Sequence, residues 1–79
     1  MFYVYVLRSQ KDNKRYIGFT DNLERRFSEH NRGIVKSTRS RRPLDLIYFE
    51  EFEVKSEAMH REEFFKTGQG RVYLNSLDK

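Results

Sequence analysis

The N-terminal pattern of hydrophobic and polar residues predicts a β-hairpin. Residues 2–7 are almost entirely aromatic or β-branched, a composition that favours a strand over a helix. In such a strand Tyr5 and Val4 lie on opposite faces. Residues 9–14 are polar and include Asp-Asn, which is typical of a turn. Strand composition resumes over residues 15–20, so we predict two paired strands.

The next segment has hydrophobic residues at helical spacing. Leu23, Phe27 and His30 follow one another at i, i+4 and i+7, which predicts a helix with these side chains on its buried face. Arg26 leans towards the same face. The adjacent Arg25 points to solvent, so the two arginines are not equivalent.

Polar residues mark the expected ends of this helix. Asp21 with Glu24 three residues later has the spacing of a capping box, and Gly33 is the expected C-terminal end. Residues 33–42 are predicted to form a loop. A third strand is expected over residues 44–52, which are apolar and aromatic.

A second helix is predicted over residues 56–67, begun by a serine cap and ended by Gly68. Glu62 falls on the same helical face as Ala58 and Phe65. A carboxylate on a packed face is costly unless it is paired, hydrogen-bonded or bound to a metal. Pairing with an arginine is the structural alternative to a metal-binding role.

The C-terminal residues predict a short loop followed by a terminal helix. We expect Gln69-Gly70 to form the loop and residues 72–77 to form the helix, with Val72, Tyr73, Leu74 and Leu77 packing back. The element order is therefore β-β-α-β-α-α, an α+β arrangement in a single domain of residues 1–79.

Charge divides the chain into two unequal halves. Residues 1–42 carry eleven Lys or Arg and four acids (11 − 4 = +7), and residues 43–79 carry five and eight (5 − 8 = −3), which together give the net +4. A strongly basic half suggests an anionic partner, with nucleic acid ahead of a membrane surface. The basic residues of the predicted loop are suited to phosphate contacts: Lys36, Arg39, Arg41 and Arg42. A flexible, solvated loop is the alternative interpretation.

Composition excludes several other classes. The chain has no cysteine, so neither a disulfide framework nor a cysteine-bound zinc site stabilises it. It has no apolar run near the roughly 20 residues of a membrane span, and its N-terminus does not resemble a signal peptide. We therefore expect a cytoplasmic protein with no membrane partner.

The inward-leaning polar residues have the chemistry that hydrolysis of a phosphodiester requires. Glu62 has the oxygen ligands that Mg²⁺ prefers, and the guanidinium of Arg26 can clamp phosphate oxygens. Tyr5 and Tyr16 are poor bases at an ordinary pKa near 10, so each needs nearby positive charge or a partner such as His30. Buried tyrosines that merely complete a core are the alternative.

The order and spacing of these residues resemble the GIY-YIG nuclease superfamily over essentially the whole chain. Tyr3-Val4-Tyr5 is followed, after ten residues, by Tyr16-Ile17-Gly18, and then by Arg26, His30 and a helical Glu62. The first tripeptide departs from the family name, because Tyr and Val stand where Gly and Ile give that label. The chain looks most similar to the small stand-alone, UPF0213-type members.

The resemblance implies a fold and a set of roles. The fold is a three-stranded antiparallel sheet flanked by helices. The activity is that of a DNA endonuclease dependent on Mg²⁺ or Mn²⁺, with the metal bound by Glu62. Tyr5 and Tyr16 activate or align water, Arg26 stabilises phosphoryl charge, and His30 assists the tyrosine proton. A family asparagine has Asn75 as its only suggested counterpart, and this assignment stays open.

Two other functions remain open at this point. The chain could be a nucleic-acid-binding module without turnover, since its basic half alone accounts for binding. A protein-interaction adaptor rests only on small size and surface charge. A domain of 79 residues has room for few base contacts. We therefore expect a nuclease directed by DNA structure or backbone, in DNA repair or processing, and targeted by a protein partner or by self-association. RNA is the alternative polymer.

Overall fold

Six regular elements follow one another in the predicted order in the computed structural model, which describes residues 1–77. They are β1 (Phe2–Ser9), β2 (Arg15–Thr20), α1 (Leu23–Asn31), β3 (Leu44–Phe52), α2 (Lys55–Phe65) and α3 (Gly68–Leu77). A single 3₁₀ turn, Arg39–Arg41, interrupts the connection between α1 and β3. The predicted α+β class is confirmed.

The three strands form one antiparallel sheet in the order β2-β1-β3, so β1 is the central strand. Tyr5 lies opposite Gly18 of β2 on one side and opposite Phe49 of β3 on the other. The pairing with β3 shifts register between Val6 and Leu7. The predicted alternation of β1 therefore places Tyr5 in the middle of the sheet.

Each face of the sheet is covered by different helices. Val4 and Val6 pack with residues of α2 and α3, including Phe65 and Leu74. On the opposite face Tyr5 and its neighbours pack against residues of α1 and the start of β3. The side chains of the central strand thus divide between two small cores, as the strand period of two requires.

The predicted start of α1 was wrong by one residue. Asn22, not Asp21, is the N-cap, because the Asn22 side chain accepts a hydrogen bond from the backbone N–H of Arg25 at 3.0 Å. The Asp21 carboxylate instead pairs with the Arg25 guanidinium at 3.3 Å. The predicted end is confirmed, because Gly33 follows the helix with a φ of +80°, a conformation that glycine adopts without steric cost.

The prediction at the junction of α2 and α3 was also wrong. The N-cap of α2 is Val54, with no side-chain hydrogen bond, so the predicted serine cap lies inside the first turn. The residues Gly68-Gln69-Gly70, predicted to end one helix and form a loop, are the first turn of α3. The side-chain oxygen of Thr67 accepts a hydrogen bond from the N–H of Gly70 at 3.1 Å. This local cap and the packing of α3 outweigh the low helix propensity of glycine.

Only part of the predicted packing of α3 is confirmed. Leu74 is buried, whereas Val72 is 68% exposed and Leu77 is 44% exposed. Tyr73 stacks on Phe65 with ring centroids 6.0 Å apart. Of the four predicted contact residues, Tyr73 and Leu74 therefore pack against the rest of the fold, whereas Val72 and Leu77 remain exposed.

The basic connection from α1 to β3 is anchored rather than loosely solvated. Val35 and Thr38 are buried. The Asn31 side chain makes two hydrogen bonds to the backbone of Leu44, at 2.9 and 2.8 Å, and the Ser9 hydroxyl donates to a backbone carbonyl at 2.6 Å. The Arg42–Pro43 peptide bond is cis. Within residues 1–77, no helix is long and apolar enough to cross a bilayer.

Candidate active site

Tyr5 is the centre of the candidate site, and the residue opposite it makes room for its ring. Tyr5 is 1% exposed. A Cβ atom at Gly18 would lie 2.3 Å from both Cζ and Oη of Tyr5, a separation that no real side chain tolerates. The glycine of the second tripeptide therefore allows the tyrosine ring to lie across β2.

A buried hydrogen-bonded chain joins Tyr5 to α1 and to the following connection. The Tyr5 hydroxyl lies 2.9 Å from Nε2 of His30, and Nδ1 of His30 lies 2.7 Å from Oγ1 of Thr38. His30 and Thr38 are both fully buried. Both ring nitrogens of the histidine are thus committed to named partners, which fixes the orientation of the ring.

Burial keeps Tyr5 and His30, the two titratable residues of this hydrogen-bonded chain, neutral. It raises the pKa of Tyr5 to about 12, an effect that Arg26 partly offsets. Burial also lowers the pKa of His30 to about 4, and the positive charge of Arg26 adds to that lowering. Near pH 7 the site therefore contains a neutral phenol hydrogen-bonded to a neutral imidazole.

Arg26 and Tyr16 complete the wall of the site next to this chain. Arg26 lies near the Tyr5 hydroxyl and is held by Glu29 of the same helix, whose Oε1 is 3.0 Å from the guanidinium. The Tyr16 ring centroid lies 5.1 Å from that of His30 and 6.5 Å from that of Tyr5. Four of the five predicted catalytic side chains are thus brought together.

Glu62 approaches the same site from α2. Its negative charge contributes to the raised pKa of Tyr5, although burial is the largest cause. The carboxylate is 23% exposed and forms an ion pair at 3.3 Å with Lys66. The arginine of α2 pairs with Glu50 of β3 and not with Glu62. Nε of Arg61 donates a hydrogen bond to Oε1 of Glu50 at 2.8 Å.

The donor set fits a hard divalent cation held by one protein ligand. Among residues 1–77, no cluster of three or more His, Cys, Asp or Glu side chains could enclose a metal. Mg²⁺ does not need such a cluster, since one or two carboxylates with water and phosphate oxygens satisfy it. Glu62 supplies a partly exposed carboxylate whose charge acts on Tyr5, and it is the residue that would hold the ion.

The four basic residues predicted to contact phosphate lie in different surroundings. Lys36, Arg39 and Arg42 are exposed. Nε of Arg39 donates to the carbonyl of Gly33, and Nε of Arg42 donates to the carbonyl of Arg39. Arg41 is partly buried, and its Nε lies 3.5 Å from a carboxylate oxygen of the hairpin. Two of these arginines therefore stabilise the connection that carries them.

Sequence reasoning missed two polar residues of the site. Thr38 lies in a segment that looked like a solvated loop, and no local pattern indicated that its hydroxyl would be buried against His30. Glu29 lies three residues after Arg26, a helical spacing that does predict an ion pair. Asn75, the open counterpart of a family asparagine, accepts a hydrogen bond at 2.8 Å from Arg15.

Comparisons with known proteins agree with this architecture. A family model described as the GIY-YIG catalytic domain matches residues 1–75. A UPF0213 protein of Staphylococcus haemolyticus is 50% identical over 78 residues, covering 98% of this chain and 94% of the relative. One of Clostridium perfringens is 51% identical over 67 residues, covering 84% and 71%. The solution NMR structure of a UPF0213 protein from Bacillus halodurans superposes with a TM-score of 0.60 at 36% identity, covering 98% of this chain and 85% of the other.

Proposed function

The chain belongs to the GIY-YIG catalytic domain family, and from this premise we propose that it is a metal-dependent DNA endonuclease. The family is one of nucleases, so cleavage of a phosphodiester bond is the coarse expectation. The finer proposal is that Tyr5, Tyr16, Arg26, His30 and Glu62 are its catalytic residues. The observation that carries the proposal is the buried hydrogen-bonded chain from Tyr5 through His30 beside Arg26.

The hydrogen bonds that link Tyr5, His30 and Thr38 offer a route for the proton of the attacking water. Arg26 has only donors, so the phenol proton of Tyr5 needs another acceptor, and Nε2 of His30 is 2.9 Å away. Water can give a proton to the phenol oxygen while the phenol gives its own proton to Nε2. The resulting hydroxide attacks phosphorus as the bond from phosphorus to the leaving oxygen breaks. The leaving oxygen takes a proton from solvent, and the proton on His30 returns through Tyr5 to solvent after the cut strand leaves. Tyr16 would hold the water in line.

In this proposal Thr38 is a positioning residue. If Nε2 of His30 is to accept a proton, the neutral ring must carry its own proton on Nδ1. In the required tautomer the Thr38 hydroxyl, 2.7 Å from Nδ1, would accept that N–H. The same contact holds the imidazole in place while it carries the extra proton.

Arg26 and the metal ligand act on the phosphate. The fork of donors on Arg26 suits the crowded phosphoryl oxygens, and Glu29 holds that fork from behind. Glu62 is the residue that would hold Mg²⁺ or Mn²⁺. When bound, the ion would supply positive charge to the phosphate and to the leaving oxygen.

The basic residues on the connection from α1 to β3 suggest backbone-directed binding. Lys36, Arg39, Arg41 and Arg42 would contact phosphates rather than base edges. We further propose that the protein acts in DNA repair or processing in the cytoplasm, with a protein partner or self-association supplying the targeting that backbone contacts do not. RNA is the other polymer that these contacts would accept.

The test of this function is the nicking of supercoiled and branched DNA in Mg²⁺ and in Mn²⁺. We expect the wild-type protein to cut, and Glu62→Gln to lose at least about 100-fold in rate because the metal ligand is gone. Glu63→Gln is the matched control, since this neighbouring carboxylate is exposed and should leave the rate unchanged.

Two outcomes would overturn the assignment. Equal rates for Glu62→Gln and wild type would remove Glu62 as the ligand. A wild-type protein that binds DNA with a steep salt dependence, yet cuts it with neither metal, would favour a binding module instead.

A further inference from the structure

A basic cleft lies beside the candidate active site, on a surface that the sequence did not single out. It has a volume of about 840 Å³ and opens between the hairpin formed by β1 and β2, the 3₁₀ turn, and helix α3. Of the described residues that line it, six are cationic and none is acidic: Arg8, Lys14, Arg15, Arg41, Lys66 and Arg71. The cleft thus concentrates more positive charge than the predicted phosphate loop, from which only Arg41 reaches it.

The cationic residues of this cleft come from three parts of the fold. Arg8 and Arg15 lie directly opposite each other across the β1–β2 pair, and Arg15 donates a hydrogen bond to Asn75 of α3. Lys14 and Arg71 add two exposed cations to the same walls. A wall lined by cations from several elements favours an anionic ligand.

Two residues connect the cleft to the active site. Tyr16, whose ring lies against His30, also lines the cleft. Lys66 lines it as well and forms an ion pair with Glu62. A polyanion lying in the cleft would therefore lead to the tyrosines and to the proposed metal ligand.

We propose that this cleft holds an unpaired strand of nucleic acid as that strand leaves the cleavage site. The inference rests on the proposed nuclease function and names the part of the substrate that the cleft would take. The domain measures only 30 × 26 × 19 Å, so a double helix can lie against it but cannot enter a cleft of this size. Positive charge beside an aromatic ring is the usual arrangement for binding single strands. A substrate with a single-stranded extension would therefore bind more tightly than a blunt duplex.

The test measures binding in EDTA, where cleavage plays no part. Fluorescence anisotropy of a labelled oligothymidylate and of a labelled blunt hairpin duplex is recorded over a range of salt concentrations. The double variant Lys14→Gln/Arg71→Gln removes two cleft charges. The control Arg25→Gln/Arg32→Gln removes two exposed charges outside the cleft, one from α1 and one from its C-cap. All four positions are on the surface, so folding is checked simply by thermal unfolding.

We expect the cleft variant to bind the oligothymidylate about tenfold more weakly at roughly 0.1 M salt, with its salt slope reduced by about 1.4, since each single-strand phosphate contact contributes about 0.7. Duplex binding should change less. Equal losses in the cleft and control variants, or equal losses for both DNAs, would overturn the proposal. Because no metal is present, a protein that fails to cut DNA can still confirm or contradict the single-strand site.

Discussion

Tyr5 fits in the sheet because the residue opposite it, Gly18, has no side chain. Its ring lies where a Cβ atom at Gly18 would be, so the central strand can place a phenol against α1 without pushing β2 away. Overpacking of this kind costs about 1–3 kcal/mol where it is forced on a core. The glycine is therefore needed for steric space at this site, and the hydroxyl reaches His30 because of it.

Thr38→Val removes the hydroxyl that contacts Nδ1 of His30 while preserving the shape of the side chain. We expect the variant to lose the preference for the tautomer with its proton on Nδ1, because valine cannot accept that hydrogen bond. The imidazole nitrogen chemical shifts of His30, measured by ¹⁵N NMR, report the tautomer directly. Nuclease activity should fall in parallel.

Thr38→Ser serves as the control for this prediction because it keeps the hydroxyl. It should restore the wild-type nitrogen shifts even if it packs less well. A wild-type protein whose His30 carries its proton on Nε2 would contradict the proposed role of Thr38, whether or not the protein cuts DNA.

At the scale of elements, sequence periodicity located the strands better than the last two helices. The bounds of β2 and β3 were predicted to the residue, and β1 was predicted two residues short at its end, because alternation and β-branched residues are local signals. The start of α3 was missed because its first turn contains two glycines, and only contact with α2 explains why they are helical. Likewise the composition of α2 did not indicate that Arg61 would lie over the rings of Phe65 and Tyr73, 4.6 and 5.0 Å from their centroids.

The same difference between local sequence signals and distant contacts applies to the candidate site. The positions of the proposed catalytic side chains on β1, β2 and α1 could be predicted because strand and helix periods determine the face on which each lies. The hydroxyl of Thr38 could not, because its burial depends on a connection folded by distant contacts such as that between Asn31 and Leu44. In the same connection, Nε of Arg39 donates to the carbonyl of Gly33, and Nε of Arg42 donates to the carbonyl of Arg39.

The packing of α3 on α2 depends on one of its two glycines. A Cβ atom at Gly70 would lie 2.0 Å from the carbonyl oxygen of Phe64, whereas one at Gly68 would have no neighbour within 4 Å. We expect Gly70→Ala to lower the free energy of unfolding by about 1–3 kcal/mol, because backbone must move to relieve the clash. Urea denaturation followed by circular dichroism measures the change.

Gly68→Ala on the same helix is the matched control. It should leave stability unchanged or raise it by up to about 1 kcal/mol, since alanine favours a helix and meets no steric obstacle there. Similar effects of the two substitutions would show that helix propensity, and not the contact between α2 and α3, decides the stability of this element.

At the scale of the whole molecule, the two halves of the chain meet at one site although their charges differ in sign. The basic half contributes both tyrosines, Arg26 and His30, and the acidic half contributes Glu62. The sheet makes this possible, because β1 is central and lies between helices drawn from both halves. The net charge of +4 conceals this division of roles.

Burial of His30 also couples the stability of the whole domain to pH. The pKa of His30 is lowered to about 4 in the folded chain, against an ordinary value near 6.5 in the unfolded chain. Between these two values the unfolded state binds more protons than the folded state, so the free energy of unfolding must fall as the pH is lowered from about 6.5 to about 4. The full loss is on the order of 3 kcal/mol, a large part of the roughly 4–12 kcal/mol expected for a domain of this length.

Urea denaturation across this pH range should show the loss of stability. In His30→Gln the dependence on pH should be weaker, and only the contribution of the carboxylates should remain. Because that variant could itself lose stability, the wild-type imidazole resonances provide a second measurement, and titration of His30 near pH 6.5 would contradict the prediction.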